Sequence, residues 1–256
     1  MIHPTAIVHP GAKLGPRTSV GAYSVIGEHV EIGEGTSIGS HVVVDGHTRI
    51  GAANRIFSHS ALGGAPQDKK YAGEPTRLEI GDRNTIREFC TFNTGTAQDT
   101  GVTRIGDDNW IMAYVHIAHD CDVGSNTIFA NNAALAGHVR VGDWAILGGY
   151  TMVHQFVSIG AHAMTAIATV LLLDLPPYVT AAGNTAKPFG INSEGLKRRR
   201  FSPESIARIK SAYRTLYRAG LQLEEARGEL QKMAEASPEI APMVEFLAAS
   251  RRGITR

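Results

Sequence analysis

An aliphatic residue recurs at every sixth position through the first quarter of the chain. At the chain's 43% frequency of hydrophobic residues, eleven such positions in one register have odds of roughly one in ten thousand by chance. Seven of the eleven are followed directly by glycine, which tolerates tight corners and close approach of backbones. A period of six fits neither an α-helix nor a hairpin, and it predicts a parallel β-helix in which each repeat forms one side of a triangular coil. The eleven positions are Ile2, Val8, Leu14, Val20, Ile26, Ile32, Ile38, Val44, Ile50, Ile56 and Leu62.

The repeat continues beyond residue 62 with two interruptions. It resumes at Ile80 and then, in a register shifted by one, runs from Ile105 to Ile159. The interruptions are rich in polar residues and glycine, and they predict loops at 63–79 and 93–104, the first removing one coil's worth of chain from the stack. The β-helix is expected to span 1–190, with coils about 4.8 Å apart and aliphatic ladders inside.

The chain after Asp174 has a different pattern. A passage rich in proline and glycine is followed by Ser202, Pro203 and Glu204, which read as an N-cap, a first-turn proline and an acidic first turn. Helical stretches are expected from 203, around 221–234 and around 238–249. The second predicted unit is a small C-terminal α-helical domain over 191–256.

Bulk composition excludes several classes of function. The 25 basic and 24 acidic residues give a formal net charge of +1, which argues against a nucleic-acid-binding protein. Two cysteines, Cys90 and Cys121, form no disulfide framework and are expected to be buried without a functional role. With no signal-peptide pattern at Met1, a cytoplasmic location is expected. No apolar run is long enough for a transmembrane segment.

A regular coil of 18 residues predicts which side chains stack. His119 aligns with Gly137 and then with Gln155, and Asp120 aligns with His138. About two and a half coils therefore concentrate polar residues on one part of the surface: His116, His119, Asp120, His138, His154 and Gln155.

Acyl transfer to a hydroxyl group requires chemistry that this cluster contains. A histidine is the side chain best suited to accept the proton of an attacking hydroxyl near neutral pH. A glycine N–H approaches a developing oxyanion closely because no side chain shields it. His119 below Gly137 supplies both groups. Two alternatives stay open: these histidines are solvated surface residues, or His116, His119 and His138 bind zinc.

Several motifs resemble one bacterial family. "HIAHDCDVG", "FANNAALAGHV", "VHQF", "PPYV" and "PFGINSEGLKRR" are similar to the UDP-N-acetylglucosamine O-acyltransferases that begin lipid A synthesis, and the likeness covers essentially the whole chain. It implies a left-handed coil and a homotrimer with clefts between subunits. It also implies transfer of a (3R)-hydroxyacyl group from the phosphopantetheine of acyl carrier protein to the 3-hydroxyl of UDP-N-acetylglucosamine, with no metal and no other cofactor.

The resemblance assigns roles to individual residues. His119 is the expected general base, Gly137 the oxyanion donor and Asp120 the carboxylate that supports His119. The basic run at 197–200 fits a nucleotide diphosphate and equally an acidic carrier protein. The expected substrate-binding residues are Asp68 and His116 at the sugar with Gln67 and Lys70 nearby, His138, His154 and Gln155 along the cleft, and Asn192, Glu194, Arg198 and Arg199 at the nucleotide.

The sequence departs from some relatives at three places. Thr185 replaces a histidine, and Asn93 and Thr94 stand in place of a basic pair, so nucleotide affinity is expected to differ. Ile167 replaces the glycine of relatives that accept long acyl chains. A branched side chain there predicts a donor of fewer than about 14 carbons.

Other functions are compatible with a bare hexapeptide repeat. A related N-acyltransferase has an extra domain before its β-helix, whereas here the repeat starts at Ile2. A coenzyme A-dependent acetyltransferase is the next alternative within enzymes. A non-catalytic or metal-binding β-helix is the alternative outside that class.

Overall fold

The computed structural model describes residues 1–256 and contains 27 short strands followed by helices. In chain order, β1 to β27 are Ile7–Val8, Lys13–Leu14, Ser19–Val20, Val25–Ile26, Glu31–Ile32, Ser37–Ile38, Val43–Val44, His47–Ile50, Arg55–Ile56, Ala61–Gly64, Arg77–Ile80, Thr85–Ile86, Thr91–Asn93, Val102–Ile105, Trp110–Ile111, His116–Ile117, Asp122–Val123, Ile128–Phe129, Ala134–Leu135, Arg140–Val141, Ile146–Leu147, Met152–Val153, Ser158–Ile159, Met164–Thr165, Val170–Leu171, Val179–Ala182 and Lys187–Ile191.

The strands form three parallel sheets, which are the faces of a triangular prism. Every third strand pairs with the next, so that the first face runs from β1 to β25, the second from β2 to β23 and the third from β3 to β26, with β27 added antiparallel. Partners in regular coils are 18 residues apart, as in Val25 with Val43 and Ala134 with Met152. The predicted parallel β-helix of triangular coils is confirmed.

The two loops are shorter than the breaks in the repeat. Strands β10, β11, β13 and β14 extend into the interrupted stretches, which leaves loops at 65–76 and 94–101. Ile80 pairs with Ile50, so that coil contains 30 residues and the first loop adds 12. The expectation that a full coil had left the stack was therefore wrong, because the chain bridges one side of the triangle and resumes the same layer.

The corners of the prism are formed mainly by residues other than glycine. Tyr114, Asp120 and Asn126 have φ of +64°, +58° and +59°, and equivalent residues recur up the stack. The glycines that follow the inward aliphatic residues have a different purpose. A Cβ on Gly21 would lie 2.5 Å from the Gly39 carbonyl carbon of the next coil. These glycines allow coils to approach closely, whereas the left-handed corner belongs to the residue two places later.

The interior is a single aliphatic column, and the three outer surfaces differ. The core cluster of 37 buried residues includes the inward series together with Phe92 and Phe129. The outward residues of the first face are largely apolar, as at Ile7 and Val43. Those of the second face alternate in charge, as in the Lys13 to Glu31 pair at 2.6 Å.

The C-terminal segment is helical and has a core of its own. The helices are α1 Ser193–Arg198, α2 Pro203–Arg218, α3 Leu223–Ala236 and α4 Ala241–Ala249, with a 3₁₀ turn at Pro238–Ile240. The Ser202 hydroxyl accepts from the Ser205 N–H, which confirms the predicted N-cap of α2. Eleven buried residues form the helical core. None of the helices combines the length and the apolar composition that crossing a bilayer requires.

Candidate active site

An open cleft of about 490 Å³ lies on the first face, beside the corner that leads to the second face. Successive strands of the first face supply most of its lining, and the loop at 65–76 covers one side. Among the residues predicted for the site, the cleft contains Gln67, His116, His119, Gly137 and His154.

His119 and Asp120 are in direct contact. His119 Nδ1 lies 2.9 Å from Asp120 Oδ2, although neighbouring residues of a straight strand point to opposite faces. Asp120 is the corner residue, and its left-handed backbone turns the carboxylate back toward the imidazole. Because an ionised carboxylate only accepts hydrogen bonds, Nδ1 carries the proton and Nε2 is left free to take one.

Asp120 is held by the second loop. Its side chain is fully buried, and the Thr96 N–H and Oγ1–H donate to it at 2.9 Å and 2.6 Å. Burial opposes ionisation of this carboxyl group, but the hydrogen bonds from His119 and Thr96 outweigh it and lower the pKa of Asp120. A permanent negative charge therefore stands behind His119.

Gly137 lies directly over the His119 ring, as the 18-residue spacing predicts. A Cβ on Gly137 would stand 2.7 Å from His119 Nε2 and 2.5 Å from Cε1. The Gly137 N–H donates to no acceptor within the chain, while its carbonyl accepts from the Phe156 N–H. The cleft therefore places a free backbone donor next to an unprotonated ring nitrogen.

His116 and His138 lie on opposite sides of this pair. His116 Nδ1 is 2.8 Å from Thr91 Oγ1 on the neighbouring strand, and burial lowers the pKa of His116. His138 lies around the corner in a second, polar cavity of about 530 Å³, where its Nδ1 is 2.6 Å from Asp99 Oδ2. His138 therefore supports the edge of the cleft without lining it.

The first loop brings only one predicted residue into the cleft. Gln67 lines it, whereas Asp68 caps a turn by accepting from the Lys70 N–H at 2.9 Å. Lys70 is exposed. Asn93 Nδ2 donates to the Ala65 carbonyl at 3.0 Å, so a departure from the relatives ties the two loops together.

Six predicted residues are not at the cleft of a single chain. Gln155 is exposed beyond its edge, and Ile167 is 72% exposed near the corner between the third and first faces. The other four are at the corner between the second and third faces. There the buried Asn192 caps α1, Glu194 pairs with Lys197 at 2.7 Å, Arg198 is exposed, and Arg199 contacts His162.

The acid and base groups that cluster differ from the predicted zinc set. His119, Asp120 and His138 have potential ligand atoms within 4.8 Å of one another, and His116 is not among them. Nδ1 of His119 and both oxygens of Asp120 are already engaged in hydrogen bonds. The geometry favours a proton-transfer pair over the three-histidine site.

Sequence reasoning missed three residues that contact the site. Thr96 and Asp99 are in the second loop, where no periodicity indicates a direction. Arg252 comes from the C-terminus: Ser250 Oγ donates to Asp174 at 2.7 Å, and Arg252 Nη2 then lies 3.3 Å from His154 Nδ1. No repeat or motif links these positions to the cluster.

A triangular prism of hexapeptide coils with a histidine beneath a glycine N–H defines a hexapeptide-repeat acyltransferase. Two family models agree: bacterial transferase hexapeptide repeats match residues 11–46 and 103–137, and domain 2 of UDP N-acetylglucosamine O-acyltransferase matches 174–255. The alternatives of a coenzyme A-dependent enzyme and a scaffold lack this second match.

Curated proteins and solved structures identify the family. Acyl-[acyl-carrier-protein]–UDP-N-acetylglucosamine O-acyltransferases from Thiobacillus denitrificans and a Janthinobacterium species are each 64% identical over 100% of this chain and 99% of theirs. The Francisella novicida UDP-N-acetylglucosamine acyltransferase is 44% identical with a TM-score of 0.98, covering 100% of this chain and 94% of that one. LpxA of Acinetobacter baumannii is 44% identical with a TM-score of 0.97, covering 100% and 99%.

The chain belongs to the acyl-[acyl-carrier-protein]–UDP-N-acetylglucosamine O-acyltransferase family, whose members catalyse the first step of lipid A biosynthesis. Both the predicted family and the left-handed sense of the parallel β-helix are confirmed.

Proposed function

We propose that this chain transfers an (R)-3-hydroxyacyl group from acyl carrier protein to the 3-hydroxyl of UDP-N-acetylglucosamine, with His119 as general base. His119 Nε2 takes the hydroxyl proton, and the oxygen attacks the thioester carbonyl carbon. The Gly137 N–H stabilises the resulting oxyanion. The tetrahedral intermediate then expels the phosphopantetheine sulfur, which receives the proton from His119. Asp120 stabilises the imidazolium between the two proton transfers.

The observation that carries this proposal is the stack of Gly137 on a His119 ring whose Nδ1 is held by a buried carboxylate. We propose no metal and no cofactor beyond the carrier's thioester, since the ring and carboxylate atoms are engaged with one another. His116 and Gln67 in the cleft, with Asp68 and Lys70 in the loop beside them, are the proposed sugar contacts. His138, His154 and Gln155 are proposed at the cleft edge.

A homotrimer accounts for the residues that are remote from the cleft. The first face and its corner with the third face expose apolar side chains, including Tyr23 at 61%, Val43 at 42% and Tyr114 at 55%. The second face is charged, as at Glu79 and Arg104. A closed ring with threefold symmetry buries the first face of each subunit against the third face of the next.

Such a ring places the apolar corner at the symmetry axis and completes the cleft from the neighbour. The corner carrying His119 then meets the neighbouring subunit's corner between its second and third faces, which carries Asn192, Glu194, Arg198 and Arg199. These are the proposed nucleotide contacts. Ile167 then faces the groove between prisms, where it limits the acyl chain. The buried, unpaired thiols of Cys90 and Cys121 support a reducing, cytoplasmic setting.

Product analysis tests the reaction. Incubation with UDP-N-acetylglucosamine and hydroxyacyl carrier proteins of graded length should yield a mono-acylated nucleotide sugar, identified by mass. His119→Ala should lower kcat by about 10²- to 10⁴-fold, the range of general-base catalysis. His9→Ala, which removes an exposed histidine from the first coil, is the matched control. Wild-type turnover by His119→Ala would overturn the mechanism.

Mixed trimers test the shared site. His119→Ala and Arg199→Ala subunits should each have low activity alone, but together they recreate intact clefts wherever the two variants adjoin. Random 1:1 assembly restores about a quarter of the clefts in a closed ring of three. Recovery should approach that fraction of wild-type activity after co-expression. No recovery would show that one chain supplies the whole site.

A further inference from the structure

The Arg199 guanidinium is held in an aromatic cage at the corner between the second and third faces. Its Nη1 lies 3.2 Å from His162 Nδ1, and its Cζ lies 5.1 Å from the centroid of the Trp144 ring. The Trp144 and His162 rings are parallel within 1°, and the edge of Phe201 meets His162 at 5.2 Å between centroids. One end of the guanidinium is therefore fixed by a hydrogen bond and one face by a ring.

This guanidinium has no counter-ion within the chain. No carboxylate lies within 4 Å of Arg199, whereas the nearby Lys197 pairs with Glu194 at 2.7 Å. Burial lowers the pKa of Arg199, so part of its hydration has already been removed. A guanidinium has five N–H donors, and His162 accepts only one. The remaining donors are available to an anion that arrives from outside.

His162 acts as a neutral acceptor. A guanidinium only donates, so the contact requires an unprotonated Nδ1. Burial, together with the charge of Arg199, lowers the pKa of His162 to about 4, and Asp143 opposes this only in part. The His162 carbonyl accepts from Asn192 Nδ2 at 3.1 Å, which ties this corner to the start of α1. The ring is thus fixed in place and in protonation state.

We infer that His162 and Trp144 are positioning residues that pre-orient Arg199 to grip the diphosphate oxygens of the nucleotide sugar. The inference rests on the proposed function, in which Arg199 reaches the neighbouring subunit's cleft. A guanidinium pairs with phosphate through two parallel hydrogen bonds, and this geometry requires a fixed plane. A free arginine side chain would lose rotamer entropy on binding, whereas the caged side chain is already ordered.

Three variants test the cage. His162→Phe keeps the ring stack but removes the acceptor, His162→Gln keeps an acceptor oxygen, and Trp144→Leu removes the ring face. A lost charge-assisted hydrogen bond corresponds to about tenfold in affinity. His162→Phe should therefore raise KM for UDP-N-acetylglucosamine about tenfold, with kcat and KM for the acyl carrier protein within about threefold. His162→Gln should recover most of the loss, and Trp144→Leu should raise KM severalfold.

A matched control and a double-mutant cycle separate positioning from general damage. Phe57 also has an arginine over its ring, with Arg87 Cζ at 4.6 Å, but it is several coils away from the site. Phe57→Leu should leave both KM values unchanged. In an Arg199→Ala background, His162→Phe should have no further effect on KM, because the residue on which it acts is gone. Calorimetric titration with UDP measures the same loss without turnover.

The outcomes distinguish this inference from the proposed function. If Arg199→Ala raises KM but His162→Phe does not, the cage is not a positioning device, although the nucleotide contact stands. Additive effects of the two changes would overturn the inference in the same way. If Arg199→Ala itself binds UDP normally, the nucleotide role proposed for this corner is wrong and the inference falls with it.

Discussion

A methyl group added at Gly137 would enter the space occupied by the His119 imidazole. The new Cβ would lie 2.5 Å from Cε1 and 2.7 Å from Nε2, whereas ordinary contact begins near 3.4 Å. The backbone cannot yield easily, since the Gly137 carbonyl accepts from the Phe156 N–H and the adjacent His138 N–H donates to the His119 carbonyl. The ring must therefore move by about 1 Å, which disturbs its 2.9 Å hydrogen bond to Asp120.

The expected loss is large and confined to the chemical step. A displacement of about 1 Å in a catalytic group lowers the rate by about 10²-fold, or about 2.7 kcal/mol in the activation free energy. Gly137→Ala should therefore lower kcat about 10²- to 10³-fold and change KM for UDP-N-acetylglucosamine by less than about threefold. The assay is steady-state transfer from hydroxyacyl carrier protein, together with thermal unfolding to confirm an intact fold.

Gly149→Ala is the matched control for this change. Gly149 occupies the same place in its repeat as Gly137, two residues after an inward leucine, but its added Cβ would meet nothing closer than the Asn131 carbonyl oxygen at 3.4 Å. Its activity should stay near wild type. If Gly137→Ala turned over within threefold of wild type, the assignment of His119 beneath Gly137 as the reacting pair would be refuted.

Four further changes have defined outcomes. Ile167→Gly should move the preferred donor to longer acyl chains in a competition between carrier proteins of graded length, and an unchanged optimum would contradict its role. Val43→Glu puts a charge on the apolar first face and should lower the mass measured by light scattering from trimer toward monomer, while Arg49→Gln on the second face should not. Dialysis against a chelator should leave kcat unchanged, and activity restored by added zinc would point to a metal site instead. His162 titrates at about 4 in the fold against 6.5 unperturbed, so the unfolded chain binds more protons between these values and stability rises with pH across them; His162→Gln should flatten that part of a plot of unfolding free energy against pH.

The architecture and the central contact were predictable because both follow from periodicity. The aliphatic series predicted the coil, and the coil's length predicted that Gly137 would lie above His119. The direct contact between His119 and Asp120 did not follow, because it depends on a left-handed corner occupied by an ordinary residue. Most corners here are histidine, tyrosine, asparagine and similar residues. Stacking between coils, as between His138 and Phe156 at 4.3 Å, helps to offset the strain.

Contacts made by the loops and the C-terminus lay beyond sequence reasoning for a different reason. Thr96 and Asp99 belong to a segment without a period, so its path is set only by what it meets. Arg252 reaches His154 across 98 residues of sequence, through anchoring contacts at Asp174 that no local pattern encodes. The residues at the second corner were named correctly as a group, but their distance from His119 within one chain reflects an assembly that the sequence shows only as exposed apolar residues.

The constant spacing between coils makes the length of the prism independent of its chemistry. Pairs such as Ser19 with Ser37 repeat the same geometry layer after layer, and each layer contacts only the layers above and below it. Removing one whole coil of 18 residues near the amino end would shorten the prism by about 4.8 Å and leave every neighbour of His119 in place. The enzyme is in this sense a modular rod, whose amino-terminal layers set the height of the assembly while a few layers near the other end carry out the reaction.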